Sequence, residues 1–273
     1  MIRRPAVAGQ FYPAEPSMLD AQVRECLDLS VKRKEDALGC VCPHAGYMYS
    51  GKVAGAVYSR ISVPETVVIL GPNHTGWGGD FSIMTEGVWN MPFGDARIDS
   101  AIAKDIFKNS RFMSEDIMAH QREHSVEVQL PFLQYYSKTF QFVPIAVKHY
   151  VPEEGYLKMC SDVANAIASA LSKLKSKFTI IASTDFTHYE SQKRAEENDN
   201  AAINAILDLD AKRLFEEVNN RDISMCGYGP VAITIMACKK LGAKKAELVK
   251  YMTSGDTTRD YSEVVGYAGL IIR

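Results

Sequence analysis

Seven short apolar runs, rich in β-branched residues, punctuate the chain at 38–42, 66–70, 81–84, 140–147, 178–182, 247–252 and 264–272. Their length and their glycine, proline and polar borders predict buried strands. Between them, apolar residues recur at helical spacing over 17–29, 51–60, 100–108, 126–136, 155–173, 193–207, 211–219 and 230–241. Pro230 suits the first turn of its helix, where a missing N–H costs no hydrogen bond. Strands alternating with helices predict an α/β fold, a central mostly parallel or mixed β-sheet with helices on both faces. The turn-rich segment Ser254-Gly255-Asp256-Thr257-Thr258 separates the last two strands and predicts an antiparallel pair at one edge. No repeat or low-complexity linker interrupts the pattern, so residues 1–273 are expected to form a single domain.

Composition narrows the class without naming a function. The 273 residues are 47% hydrophobic and 23% charged, with a net charge of −2. That is the profile of a globular chain with a self-sufficient core, and it carries no basic field for nucleic acid. Two arginines near the start precede no apolar stretch of signal-peptide length, and no apolar run is long enough to span a membrane. A cytoplasmic location is expected, with the six cysteines reduced. Five of them, Cys26, Cys40, Cys42, Cys160 and Cys238, read as small buried hydrophobes.

The six histidines are not scattered evenly. Three follow predicted strands: His44 in Pro43-His44-Ala45-Gly46-Tyr47, His74 in Gly71-Pro72-Asn73-His74, and His188 in Ser183-Thr184-Asp185-Phe186-Thr187-His188-Tyr189. Ligands of open α/β sheets bind beyond the carboxyl ends of strands, and imidazole is the commonest metal ligand. His44 and His74 are thirty residues apart, one strand-helix-strand unit, which predicts neighbouring loops at one edge of the sheet. His120 and His124 stand four apart, as do Glu123 and Glu127, with Ser125 a candidate helix cap. His149 has no companion motif. Cys226 precedes the Pro230 helix in a glycine-rich loop, where helix-end amides should lower a thiol pKa and suit a metal ligand or reactive thiol.

These motifs, together with the opening Arg4-Pro5-Ala6-Val7-Ala8-Gly9-Gln10-Phe11-Tyr12-Pro13, resemble those of the Memo family from residue 4 to near the C-terminus. The resemblance implies a fold similar to class III extradiol ring-cleavage dioxygenases, which hold non-haem Fe(II) with two histidines and a glutamate. On that basis His44, His74 and Cys226 fall at the metal-ligand positions, and His188 falls at the acid/base histidine, with Asp185 close by. Cysteine in place of the glutamate softens the site, so the expected ion is iron or copper, with zinc third. His124 and Glu123 are expected beside the metal or substrate, and Tyr47, Trp77, Phe186 and Tyr189 as aromatic walls.

Two functions follow from the resemblance. One is a metal-dependent oxidoreductase acting on an unidentified small molecule. The alternative is a non-enzymatic protein that holds a peptide, metabolite or metal ion in the same cleft. Neither calls for nucleic acid or membrane, and a homodimer is compatible with both.

Overall fold

The computed structural model describes residues 1–273. The chain opens with β1 (Ile2–Arg3), α1 (Pro16–Cys26), β2 (Gly39–Cys42), α2 (Tyr47–Arg60), β3 (Thr66–Pro72) and β4 (Phe81–Ile83). There follow β5 (Val88–Met91), β6 (Gly94–Ile98), α3 (Ser100–Asn109), β7 (Met113–Glu115), α4 (Met118–Gln121), a 3₁₀ turn (Glu127–Gln129) and α5 (Leu130–Tyr136). Next come β8 (Gln141–Val147), α6 (Glu154–Leu171), β9 (Phe178–Ser183), β10 (His188–Glu190) and α7 (Gln192–Leu207). The last elements are α8 (Ala211–Arg221), α9 (Tyr228–Lys240), β11 (Ala246–Thr253), α10 (Gly255–Thr258) and β12 (Val264–Ile272).

All twelve strands belong to one mixed sheet, whose main path runs β1-β5-β6-β8-β3-β9-β2-β12-β10. Its centre is parallel: β3 pairs with both β8 and β9, and β9 pairs with β2. Every residue of β2 and β3 is buried. That is the signature of a strand covered on both faces, and each buried Val, Ile or Leu contributes roughly 1.5–3 kcal/mol. Gly39 on β2 faces Thr234 and Cys238 of α9, while Gly269 on β12 faces Val53 and Val57 of α2. The antiparallel register, Leu270 opposite Val41 and Ile272 opposite Gly39, puts these two glycines on opposite sides of the sheet. Helices therefore cover both faces. No helix is long and apolar enough to cross a membrane.

The seven apolar runs all became strands, and β11 and β12 form the expected antiparallel pair. Three expectations need correction. The helix read over 126–136 begins as a 3₁₀ turn and becomes α-helical only at Leu130. Ser125 does not cap it, because its hydroxyl donates to the Pro72 carbonyl at 2.9 Å. The loops of His44 and His74 are not side by side at a sheet edge: β9 lies between β2 and β3 in mid-sheet.

That insertion is what builds the crevice. After β3 the chain leaves towards β8, and after β9 it leaves towards β12 on the opposite side. Diverging connections at adjacent strands open a gap above their carboxyl ends.

Candidate metal centre

Three imidazoles meet in that gap. His44 follows β2 and His74 follows β3. His124 arrives from the segment between α4 and the 3₁₀ turn. One ring nitrogen from each lies within 4.8 Å of the others. Ring centroids are 5.2 Å apart for His44–His74, 5.4 Å for His44–His124 and 4.7 Å for His74–His124. Imidazoles sharing one ion through bonds of about 2.0–2.1 Å place their centroids about 5 Å apart, so the spacing fits a single ion. His124, expected near the metal, is part of this cluster itself.

The hydrogen bonds fix which nitrogens are free. The Ser183 hydroxyl donates its one proton to the Ser125 carbonyl at 2.7 Å. It therefore accepts from His44 Nδ1–H at 2.9 Å, leaving the lone pair of Nε2 for the crevice. An ionised carboxylate only accepts, so His74 Nδ1–H donates to Glu123 Oε1 at 3.0 Å and its Nε2 is likewise free. Such backing of the far nitrogen is the usual support of a metal-binding histidine.

Glu123 organises the cluster. Its carboxylate accepts backbone N–H bonds from His74, His124 and Ser125 as well as the His74 ring bond. Burial alone would raise its pKa, but the His74 bond and charge and its other donors prevail and hold it at about 2. In return, His74 is pulled down by burial and raised more strongly by Glu123, ending above its ordinary value. Burial, with neighbouring imidazoles, takes His44 well below the ordinary range. Burial also lowers His124, to about 4, against the pull of Glu123. His44 and His124 are thus neutral at pH 7, the form that binds a metal.

The segment carrying Glu123 and His124 is clamped from the N-terminus. Arg3, fully buried, donates Nε to the His120 carbonyl, one NH₂ group to the Glu123 carbonyl and the other to Glu127 Oε2, each at 2.6 Å. Its guanidinium lies 3.9 Å from the Trp89 ring centroid. Glu127 also accepts from the backbone of Ala6 and Val7 and from the Tyr12 hydroxyl. This explains the opening motif: residues 3–12 satisfy a buried carboxylate more than a hundred positions away. Nothing local in the sequence marks so distant a pair. On the far side, Gly71 lets β3 approach closely, since a Cβ there would collide with Ser125.

Cys226 borders the cluster through His44, with Sγ 3.4 Å from Nε2. Tetrahedral ligands at about 2.0 and 2.3 Å stand roughly 3.5 Å apart, so this pair also suits one shared ion. The thiol receives the Asp185 backbone N–H at 3.3 Å. The expected lowering of its pKa is reversed. Burial pushes it up and the Asp185 carboxylate adds to the rise, outweighing the N–H donors. Gly227 permits this packing, because a Cβ there would stand 2.6 Å from the Ser183 carbonyl oxygen.

Asp185 accepts the His44 backbone N–H at 2.8 Å, and its Oδ2 is 3.9 Å from His44 Nε2. Burial raises its pKa. Half-buried His188 donates Nδ1–H to the Ser224 carbonyl at 2.9 Å, and its backbone N–H donates to Ser224 Oγ at 2.7 Å. Its Nε2 is left free to take a proton.

The expected aromatic walls divide. Tyr47 and Phe186 are buried and offer almost no surface to a ligand. Tyr47 spends its hydroxyl on the Val128 carbonyl and packs against Phe132. Trp77 and Tyr189 are exposed. Phe11, which the sequence reading did not single out, packs its ring on His124 at 4.8 Å. His149 Nδ1 lies 3.3 Å from the Cys226 carbonyl and so supports that loop. His120 is buried on Trp89, with Nε2–H donated to the Ser82 carbonyl.

A family model for Memo-like proteins matches residues 3–271. The chain belongs to the Memo-like family. It is 44% identical over 286 residues to a MEMO1 family protein of Methanopyrus kandleri, covering 100% of this chain and 99% of that one. A MEMO1 family protein of Methanococcus maripaludis is 45% identical over 290 residues, covering 100% of both chains. Among solved structures, an uncharacterised protein from Escherichia coli K12 has a TM-score of 0.55 at 9% identity. That match covers 85% of this chain and 98% of the other, and extends the likeness to fold alone. The Memo-like motifs of this chain converge on the crevice: Gly71-Pro72-Asn73-His74, Glu123-His124-Ser125 and Met225-Cys226-Gly227 each supply a donor or its support.

Proposed function

We propose that this Memo-like chain binds one redox-active transition-metal ion, iron or copper, at His44, His74, His124 and Cys226, and uses it for oxidation–reduction of a small molecule. The observation that carries the reading is the convergence of three imidazoles whose Nδ1 positions are engaged or faced by Ser183 and Glu123. Imidazole with one soft sulfur suits both metals. When bound, the ion supplies the electron transfer that no protein side chain here provides. Zinc fits the same donors but offers no redox step.

The chain's own groups cover the proton. His188 Nε2, oriented through its bonds to Ser224, is the group that accepts or returns a proton. Asp185 holds the His44 loop through the backbone N–H bond and adds negative charge beside Cys226. Phe11 covers one flank of His124 and restricts water there.

Oxygen uptake by metal-loaded protein with ascorbate tests the reading. Uptake is expected above the free-metal rate, absent in His44→Ala, and about 10²–10⁴-fold slower in His188→Gln. Tight metal binding with no uptake would sink the redox reading and favour the binding-protein alternative.

A further inference from the structure

Beside the crevice, one cation is left unused. Arg122 immediately precedes Glu123 and lies two residues from His124, yet its exposed guanidinium has no carboxylate partner and no hydrogen bond within the protein. It sits instead 5.5 Å from the ring centroid of Trp77. Trp77 is three residues beyond His74 and is 42% exposed, unusual for so large an apolar ring.

The backbone that carries each member of this pair is held in place. Asn73 Nδ2 donates to the Trp77 carbonyl at 2.6 Å, while Asn73 Oδ1 accepts from the backbone of Thr75 and Gly76 and from the Thr75 hydroxyl. The Trp77 backbone N–H donates to Thr75 Oγ1 at 3.2 Å. The indole is therefore presented by a pinned loop, and Arg122 by the segment that Arg3 and Glu123 immobilise. A guanidinium against an aromatic ring keeps its N–H fork available for a planar oxyanion.

We propose that Arg122 and Trp77 form the recognition site for a carboxylate on the small molecule handled at the histidine cluster. A single guanidinium matches one negative charge and meets a carboxylate through two parallel hydrogen bonds, while the indole covers the apolar body that follows. The substrate class is a small organic acid with a planar or apolar portion next to its carboxylate. The inference rests on the metal-centre reading for where the rest of the molecule goes, but not for the carboxylate contact itself.

Tryptophan emission reads the site directly, because the chain has two tryptophans and the other, Trp89, is fully buried. Metal-loaded full-length protein is titrated with benzoate and with its uncharged counterpart benzamide. Benzoate should bind at least tenfold more tightly. Arg122→Gln should erase that preference and Arg122→Lys should keep part of it, with metal content unchanged in both. Equal binding of benzoate and benzamide, or a preference that survives Arg122→Gln, would overturn the proposal. So would displacement of benzoate by equimolar inorganic phosphate, which would make the site a general anion site. An Arg122-dependent benzoate preference in a protein that binds no metal would uphold the carboxylate site and overturn the metal reading alone.

Discussion

Glu123 Oε1 lies 3.0 Å from His74 Nδ1, and its Oε2 takes the backbone N–H of the same residue at 2.5 Å. One carboxylate thus fixes both the loop and the ring of a candidate ligand. Its remaining contacts, to the backbone of His124 and Ser125, place a second imidazole against the first. Replacing it with an amide of the same shape separates charge from size. Glu123→Gln should weaken metal binding about 10–100-fold, as loss of a ligand-backing carboxylate does. Competition with a chelator of known affinity measures this. An unchanged affinity would mean that the carboxylate serves only the fold.

The Arg3–Glu127 pair is fully buried on both sides. Its removal is a stability experiment with a reading at the site. Arg3→Met leaves Glu127 buried with its charge unpaired and frees the Glu123 and His120 carbonyls. A cost of about 3–5 kcal/mol is expected in urea unfolding of the metal-free protein. A cost below about 1 kcal/mol would show that the clamp is dispensable.

Acid should weaken the fold in two windows. His120, unpartnered at Nδ1 and close to Arg3, has a folded pKa of about 4, lowered chiefly by burial. The unfolded chain takes up that proton from about pH 6.5, so stability falls as pH drops from 6.5 to 4, by roughly 3 kcal/mol for this residue. Glu123, held at about 2, has its pKa shifted down too. Its contribution is intact above about pH 4.3 and is lost as pH falls towards 2. His124, at about 4, and His44, lowered by burial, share the upper window. His120→Gln, which keeps an N–H for the Ser82 carbonyl, should therefore remove only its own part of that loss and leave the lower window unchanged. Urea midpoints of wild type and variant between pH 7 and 3 check both.

The central strands were legible because β2, β3, β8 and β9 are apolar almost throughout, which only burial on both faces explains. The β5–β6 hairpin was not. Its residues alternate between buried and exposed, and Trp89 and Ala96 gain their meaning from pairing with each other. His44 and His74 could be found from their places after strands. What placed them together, β9 inserted between β2 and β3, is a choice of topology that spacing along the chain does not encode. Cys226 misled in one respect. A helix N-terminus argues for a stabilised thiolate, but burial beside Asp185 decides the opposite and is invisible before folding. Arg3 and Glu127 were silent because an ion pair spanning 124 positions leaves no local pattern.

Metal stoichiometry tests the central claim most directly. Full-length protein is loaded separately with Fe(II) under anaerobic conditions and with Cu(I), passed through a desalting column and assayed by elemental analysis beside His44→Ala. The geometry predicts about one ion retained per wild-type chain and almost none in the variant. Wild-type protein that retains neither metal above the level of His44→Ala would contradict it.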